Sequence, residues 1–368
     1  MECTDVSGVA TRTKESKLML VYWLMFCIPA LGSFYFSRED NKKYDLLLRA
    51  ICVLFVFFIG LRFEVGGDWF NYLDHYEDNV DSIYSFFDKT SDWDPGYILF
   101  EYLSALLGFG IYGVNLACGA ALMVGVYYFC RRQPQPFLAL LVAVPYMIII
   151  VGMGYSRQGA ALGFELLAVM ALVDGRVRHF ILWVICAALL HKSAVLLFSL
   201  SALSLKDKSI RTIVVILTVA VSVSWELLHE HSEELWLNYV EERMESEGAM
   251  IRVIMNAVPA ALFLIFAKRL APDEQERKVW FWMALLSLAC IPWVSSAPTA
   301  VDRVALYFLP IQLLVYSRLG NLFRLSAFRI LSTVIVIVGY GVVLFVLLNY
   351  GTIITTAWIP YDNVAFFW

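Results

Sequence analysis

Charge is scarce in this sequence. Only 16% of its 368 residues are Asp, Glu, Lys or Arg, against about 25% in an average soluble domain. Soluble, disordered and fibrous classes are excluded, because 60% hydrophobic residues and a mean hydropathy of +0.70 leave more apolar surface than a water-facing chain can bury. Basic surplus is also missing: the net charge is -4 and the pI about 5.8, which excludes an electrostatic case for nucleic acid. The seven cysteines (Cys3, Cys27, Cys52, Cys118, Cys130, Cys186 and Cys290) contain no CxxC pair and sit mostly in apolar runs. They read as small core residues, not as a disulfide framework or a zinc site. Period-two alternation is lacking as well, which argues against a β-barrel.

What is present is a series of apolar runs. A spanning helix needs about 20 such residues, and the runs at 18–36, 45–61, 112–130, 137–154, 158–174, 209–228, 251–267, 279–293, 303–318 and 327–349 qualify. Residues 96–109 are apolar but short and contain Glu101, which suits an interfacial or re-entrant helix. Residues 179–205 form a run interrupted by His191, Lys192 and Ser193, either one helix or a hairpin of two short ones. The first run has no small-residue cleavage site behind it and reads as a retained helix. The expectation is an all-α polytopic transmembrane bundle of about 11–13 membrane helices, a single integral domain over 1–368. It has an external loop with an interfacial helix at 62–110 and an external amphipathic loop at 229–250, where His229 and His231 lack a third metal ligand at helical spacing.

The positive-inside rule orients the bundle. With the acidic loop 62–95 placed outside, most of the 28 Lys and Arg fall on the cytoplasmic side, in the clusters 38–49, 131–132, 176–178, 206–211, 268–278 and 318–329. Arg62, Lys89, Arg157, Lys192, Arg243, Arg252 and Arg303 fall outside, and Arg12, Lys14 and Lys17, ahead of the first span, run against the rule. The outward cations are the informative ones. Arg62, Arg157, Lys192 and Arg303 each stand at the external mouth of a helix and together form an anion cradle, in which the planar Arg fork matches phosphate oxygens. The plainer alternative is that each one snorkels or pairs with a neighbouring acid such as Glu64 or Asp302.

Five segments carry the chemistry. In LRFEVGGDWFNYLDHY (61–76), Gly66-Gly67 permits a tight turn with positive φ, Asp68 supplies a carboxylate, and Tyr72 and Tyr76 share a helix face on which a sugar can stack. Asp94-Pro95-Gly96-Tyr97 makes a second turn that launches the interfacial helix. GYSRQGAALGFELL (154–167) re-enters with Arg157. Its Gly159, Ala160, Ala161 and Gly163 invite close helix approach, and Glu165 reads as half of a structural polar pair. In LLHKSAVL (189–196), a neutral His191 beside Lys192 is placed to act as general base on a sugar hydroxyl. In TAVDRVALYF (299–308), Arg303 and Tyr307 are four apart and share a face.

Taken in order, Arg62-x-x-x-Gly66-Gly67-Asp68-Trp69 with Tyr72, the Asp-Pro-Gly-Tyr turn, the helix starting Ser156-Arg157-Gln158, the His191-Lys192-Ser193-Ala194 step and the late Arg303-x-x-x-Tyr307 resemble the EpsG/Wzy-type polysaccharide polymerases over most of 45–310. The resemblance implies a GT-C-like glycosyltransferase of the bacterial inner membrane with its site facing the periplasm. It would polymerise undecaprenyl-pyrophosphate-linked oligosaccharide repeat units into a surface polysaccharide such as O antigen, alongside a chain-length regulator protein. On that reading Arg157 and Arg303 take the pyrophosphate, Arg62 and Asp68 shape the acceptor side, and His191 or Asp68 is the base. With cations carrying the leaving-group charge, neither a cofactor nor a divalent metal is required. The alternatives are an O-antigen ligase, which shares the donor, and a transporter or flippase of the same lipid. The latter is disfavoured because the sequence shows no inverted repeat and its charges gather at one face. A membrane acyltransferase built on His191 lacks a partner for that histidine nearby.

Overall fold

The structure, a computed structural model, describes residues 19–35, 42–79, 93–204 and 249–366. The run at 209–228 lies outside the described residues, as do Arg12, Lys14, Lys17, Lys89, Arg243 and the loop 229–250 up to Ala249. In chain order the elements are α1 (Leu20–Tyr35), α2 (Lys42–Gly60), β1 (Arg62–Phe63), α3 (Trp69–Asn79), α4 (Pro95–Leu106), α5 (Gly110–Cys130) and α6 (Pro136–Gly152). They continue with α7 (Ser156–Val173), α8 (Val177–Leu190), α9 (Leu197–Ser204), α10 (Ala249–Leu270) and α11 (Glu274–Ala289). The last are α12 (Pro298–Ala305), α13 (Pro310–Arg318), α14 (Ser326–Tyr350), α15 (Thr352–Ala357) and β2 (Asp362–Asn363). Helix dominates because an apolar run in lipid has no partner for its peptide groups except its own turns.

Four helices, α5, α7, α10 and α14, are long and apolar enough to cross a membrane singly. A bent pair makes a fifth candidate, as a broken span or a re-entrant loop: α12 and α13, prolonged by 3-10 turns to Pro298–Phe308 and Pro310–Leu322, meet at 46°. Pro310 stands at the break, where it cannot continue the preceding helix. The remaining runs make shorter apolar helices in α1, α6 and α8, and α2 carries Lys42, Lys43, Asp45 and Arg49 in its first turns. Among the described residues, length and composition thus support four or five spans of the 11–13 membrane helices expected. The run 179–205 is not one helix: His191 is extended (φ -158°, ψ 110°), and α8 gives way to a 3-10 turn over Lys192–Leu196 before α9.

Close packing of α5 on α7 holds the centre. A side chain on Gly163 would strike the Ala121 carbonyl of α5, and one on Gly125 would strike the Gly163 carbonyl, so small residues bring the two backbones together. The second half of α6, Val144–Gly152, is wound as a π-helix from the turn that holds Pro145, a residue with no N–H to give the turn before it.

The C-terminal segment locks the turn after α2. β1 pairs antiparallel with β2, Arg62 opposite Asn363. The Gly66 N–H donates to the Ala357 carbonyl at 2.7 Å. Trp358 donates its indole N–H to the Ile149 carbonyl at 3.0 Å, and Tyr22 donates to the Trp358 carbonyl at 2.6 Å.

Charged side chains gather at the two ends of α5 and α7. At one end Arg131 and Arg49 meet Asp45, Arg132 and Arg176 meet Asp174, and Arg318 joins Glu276 (2.7 Å) to Gln133 (2.9 Å). All of these cations come from the set assigned to the cytoplasm. At the other end lie Arg62, Arg157, His191, Arg252 and Asp302.

Candidate functional site

The site begins at the turn between α2 and α3. Gly66 has φ +114°, and a side chain there would drive into the Met153 carbonyl. Only glycine fits, and the turn sets Asp68 at the head of α3. Arg62 makes that turn rigid. It is 1% exposed, with Nε donating to the Val65 carbonyl (2.9 Å), Nη1 to the Ile59 carbonyl (2.6 Å) and Nη2 to the Ser156 hydroxyl (2.8 Å). Burial lowers its pKa to about 10. These three partners are all protein groups, and the guanidinium carbon lies 5.5 Å from the Trp69 ring centre.

Beyond the turn is a cavity of about 360 Å³ lined by Asp68, Asn71, Tyr72, Asp74, Trp93 and Arg157. Two of its six lining residues, Tyr72 and Trp93, are aromatic. Trp93 lies 5.7 Å from Tyr72 and 5.6 Å from Tyr97, stacks on His75 at 3.8 Å, and carries the Arg157 guanidinium 4.1 Å from its ring centre. Behind them His75 Nδ1 meets Glu101 Oε1 at 2.9 Å, so α4 is tied to α3 by a partly buried polar contact.

Asp94 is the residue that sequence reasoning missed. The sequence marks it as a turn former, and it does sit at the N-cap of α4 ahead of Pro95, but its carboxylate does not cap that helix. It is 2% exposed and accepts Arg157 Nη1 at 3.0 Å and the Lys192 backbone N–H at 3.1 Å. His191 Nδ1 stands 3.9 Å away. One carboxylate therefore gathers α7, the end of α8 and the 3-10 turn. Its signal in the sequence was an acidic residue directly before Pro-Gly. The contact of Lys192 with Asp94 is through its main chain. Next to it, Ser193 shares a 2.8 Å hydrogen bond with Tyr307.

The shared face of Arg303 and Tyr307 does not form. α12 ends at Ala305 and a 3-10 turn follows, so Tyr307 is buried while Arg303 is exposed. Asp302 pairs instead with Arg252, at 2.5 and 2.7 Å. The Arg303 carbonyl accepts Gln158 of α7 at 3.5 Å. Glu165 makes no polar pair with Arg157: it is fully buried, and both its carboxylate oxygens lack a hydrogen-bond partner among the described residues.

Electrostatics tie these parts together. Burial raises the pKa of Asp68, and the positive charges of Arg157 and Arg303 work against that rise. Burial likewise raises Tyr155, on which Asp68, Arg252, Asp302 and Arg303 all act. Burial raises Glu101 too, offset by its contact with His75. Buried polar atoms are nearly always hydrogen-bonded, yet in this layer Tyr97 Oη, Glu101 Oε2, Arg157 Nε and His191 Nε2 lack partners among the described residues. Such a set fits a polar ligand. No three His, Cys, Asp or Glu gather as a metal site among the described residues.

Of the residues singled out from the sequence, Asp68, Tyr72 and Arg157 line one cavity. His191 and Lys192 reach it through Asp94, and Arg303 acts on Asp68 through space. Arg62 and Tyr307 are buried, bonded to protein groups. No curated protein and no solved structure matches the chain. The EpsG family matches residues 45–363, a stretch that runs from α2 through β2 and takes in every residue of this site. The chain is thus an integral membrane protein of the EpsG family, which is a family of polysaccharide polymerases.

Proposed function

We propose that the protein is a glycosyltransferase that polymerises undecaprenyl-pyrophosphate-linked oligosaccharide repeat units on the periplasmic face of the bacterial inner membrane, making a surface polysaccharide such as O antigen. The observation that carries this reading is the cavity that Asp68 and Arg157 line together with Tyr72 and Trp93. Aromatic rings suit sugar rings, a half-buried carboxylate suits a general base, and a partly exposed guanidinium suits a phosphate oxygen.

In the step itself, a hydroxyl at the non-reducing end of the incoming unit attacks the anomeric carbon of the growing chain. Its proton passes to the Asp68 carboxylate. The bond from the anomeric carbon to the pyrophosphate oxygen breaks, and the electron pair leaves with the pyrophosphate. Arg157 and Arg303 carry the charge that develops there, as preorganised cations do at an oxyanion. The raised pKa of Asp68 favours proton uptake. His191, with Nδ1 toward Asp94 and Nε2 buried, is a positioning residue for the Asp94–Arg157 pair. Arg62 holds the turn that carries Asp68.

The test is reconstitution of the purified protein with a lipid-linked oligosaccharide, with polymer length scored on a gel. Wild type is expected to give a ladder with or without EDTA. Arg157→Ala and Asp68→Asn are expected to give single units from a folded protein. Ladders from both variants would overturn the assignment.

A further inference from the structure

We infer that a second, apolar cavity, between α6, α10, α14 and α15, holds the phosphate-proximal isoprene units of the polyprenyl chain of the lipid-linked sugar. The cavity has a volume of about 440 Å³, within the range of roughly 300–1,000 Å³ usual for small-molecule sites. Ile251 and Met255 of α10, Val342 and Val346 of α14 and Ile354 of α15 form its walls. Val342 and Val346 are exposed on the flank of the bundle, so a chain already dissolved in the bilayer enters sideways, without crossing water.

The lining also includes polar residues, and these select the occupant. Arg252 and Tyr155 are among them. Arg252 grips Asp302 with two donors, and Asp302 adjoins Arg303. Tyr155 stands two residues before Arg157 of the polar cavity, and Trp358, which also lines the apolar cavity, lies against Gly154 and Gly67, the residue before Asp68. The two cavities are therefore neighbours. A ligand that spans both has a long branched hydrocarbon, then a phosphate, then a sugar, along one axis. A phospholipid offers the first two without the third, which leaves the Asp68–Arg157 cavity unused. The identity of this ligand rests on the function proposed above.

Photolabelling of the full-length protein in nanodiscs tests the assignment. The probes are a diazirine-bearing polyprenyl phosphate and a diazirine-bearing phosphatidylglycerol. The polyprenyl probe is expected to label α10 and α14 around Met255 and Val346, with competition by unlabelled polyprenyl phosphate and not by phospholipid. Met255→Trp and Val346→Trp, which fill the cavity from opposite walls, are each expected to cut labelling at least about tenfold while the protein stays monodisperse. Labelling elsewhere, equal competition by phospholipid, or undiminished labelling in both variants would overturn the inference. Polymer synthesis accompanied by labelling elsewhere defeats the cavity assignment alone. Cavity labelling by a protein that makes no polymer supports that assignment and defeats the proposed activity.

Discussion

Removing Arg157 tests two roles that the site assigns to it. The guanidinium gives Nη1 to a buried Asp94 at 3.0 Å and lies 4.1 Å from the centre of Trp93. A hydrogen bond between charged groups contributes about 1.5–3 kcal/mol, and a cation–π contact about 0.5–2 kcal/mol. The Arg157 side chain is 25% exposed and that of Asp94 only 3%, so the pair keeps most of that interaction. Arg157→Ala leaves Asp94 buried with the Lys192 N–H as its one remaining side-chain hydrogen bond among the described residues, and the expected loss is about 2–4 kcal/mol. Asp94→Asn removes the charge while keeping an acceptor for that N–H. The double variant is therefore expected to be less destabilised than the sum of the singles by about 1.5–3 kcal/mol. Unfolding in mixed micelles measures this cycle, and additivity within about 0.5 kcal/mol refutes the coupling. Activity separates the roles: the double variant is expected to regain stability and remain unable to make polymer. Recovery of a full ladder would show that Arg157 only neutralises Asp94.

Gly66→Ala forces a side chain at φ +114° into the Met153 carbonyl, with an expected cost of about 1–3 kcal/mol; an unchanged melting temperature would refute the packing described. Arg62→Met strands two backbone carbonyls and the Ser156 hydroxyl and is expected to cost about 3–5 kcal/mol, read as lost yield of monodisperse protein. Wild-type yield would show that the turn stands without it. Because burial raises the pKa of Asp68, its carboxylate takes up a proton at a higher pH than an ordinary aspartate near 3.9. Activity that needs the ionised form is then expected to fall on acidification from above that value, and a profile of kcat/KM against pH that Asp68→Asn leaves intact would refute the role. Tyr307→Phe deletes one hydrogen bond to Ser193 and is expected to cost about 0.5–1.5 kcal/mol by the same unfolding measurement; a larger loss would give Tyr307 a role beyond that bond.

Hydropathy made the spans legible wherever an apolar run was long and uninterrupted. The run at 112–130 became Gly110–Cys130, and that at 327–349 became Ser326–Tyr350. It was less informative where proline intervened. The run 303–318 is bent at Pro310, and Pro145 sits in the first turn of the π-wound half of α6, because a residue without an N–H changes the winding and not the apolar count. Helical spacing failed for Arg303 and Tyr307 for a related reason: the four-residue rule presumes an unbroken α-helix, and a 3-10 turn separates them. Residue type was enough to nominate Asp68 and Arg157 but silent on Asp94, since a carboxylate before proline has the same letters whether it caps a helix or meets a cation 63 positions along the chain.

The sequence by itself determined that this chain lives in lipid, that helices build it, and which end of the bundle holds each group of cations. Scarce charge and long apolar runs act through solvation, which is a property of the residue and needs no partner. Only the tertiary structure decided which of those cations turn inward. Arg62 is consumed by carbonyls three residues away on either side, whereas Arg157 stays a quarter exposed and lines the cavity, and Asp94 becomes the hub between three segments. Hydrogen bonds depend on distance and direction, and those are set when α5 closes on α7 and the C-terminal segment clamps the glycine turn.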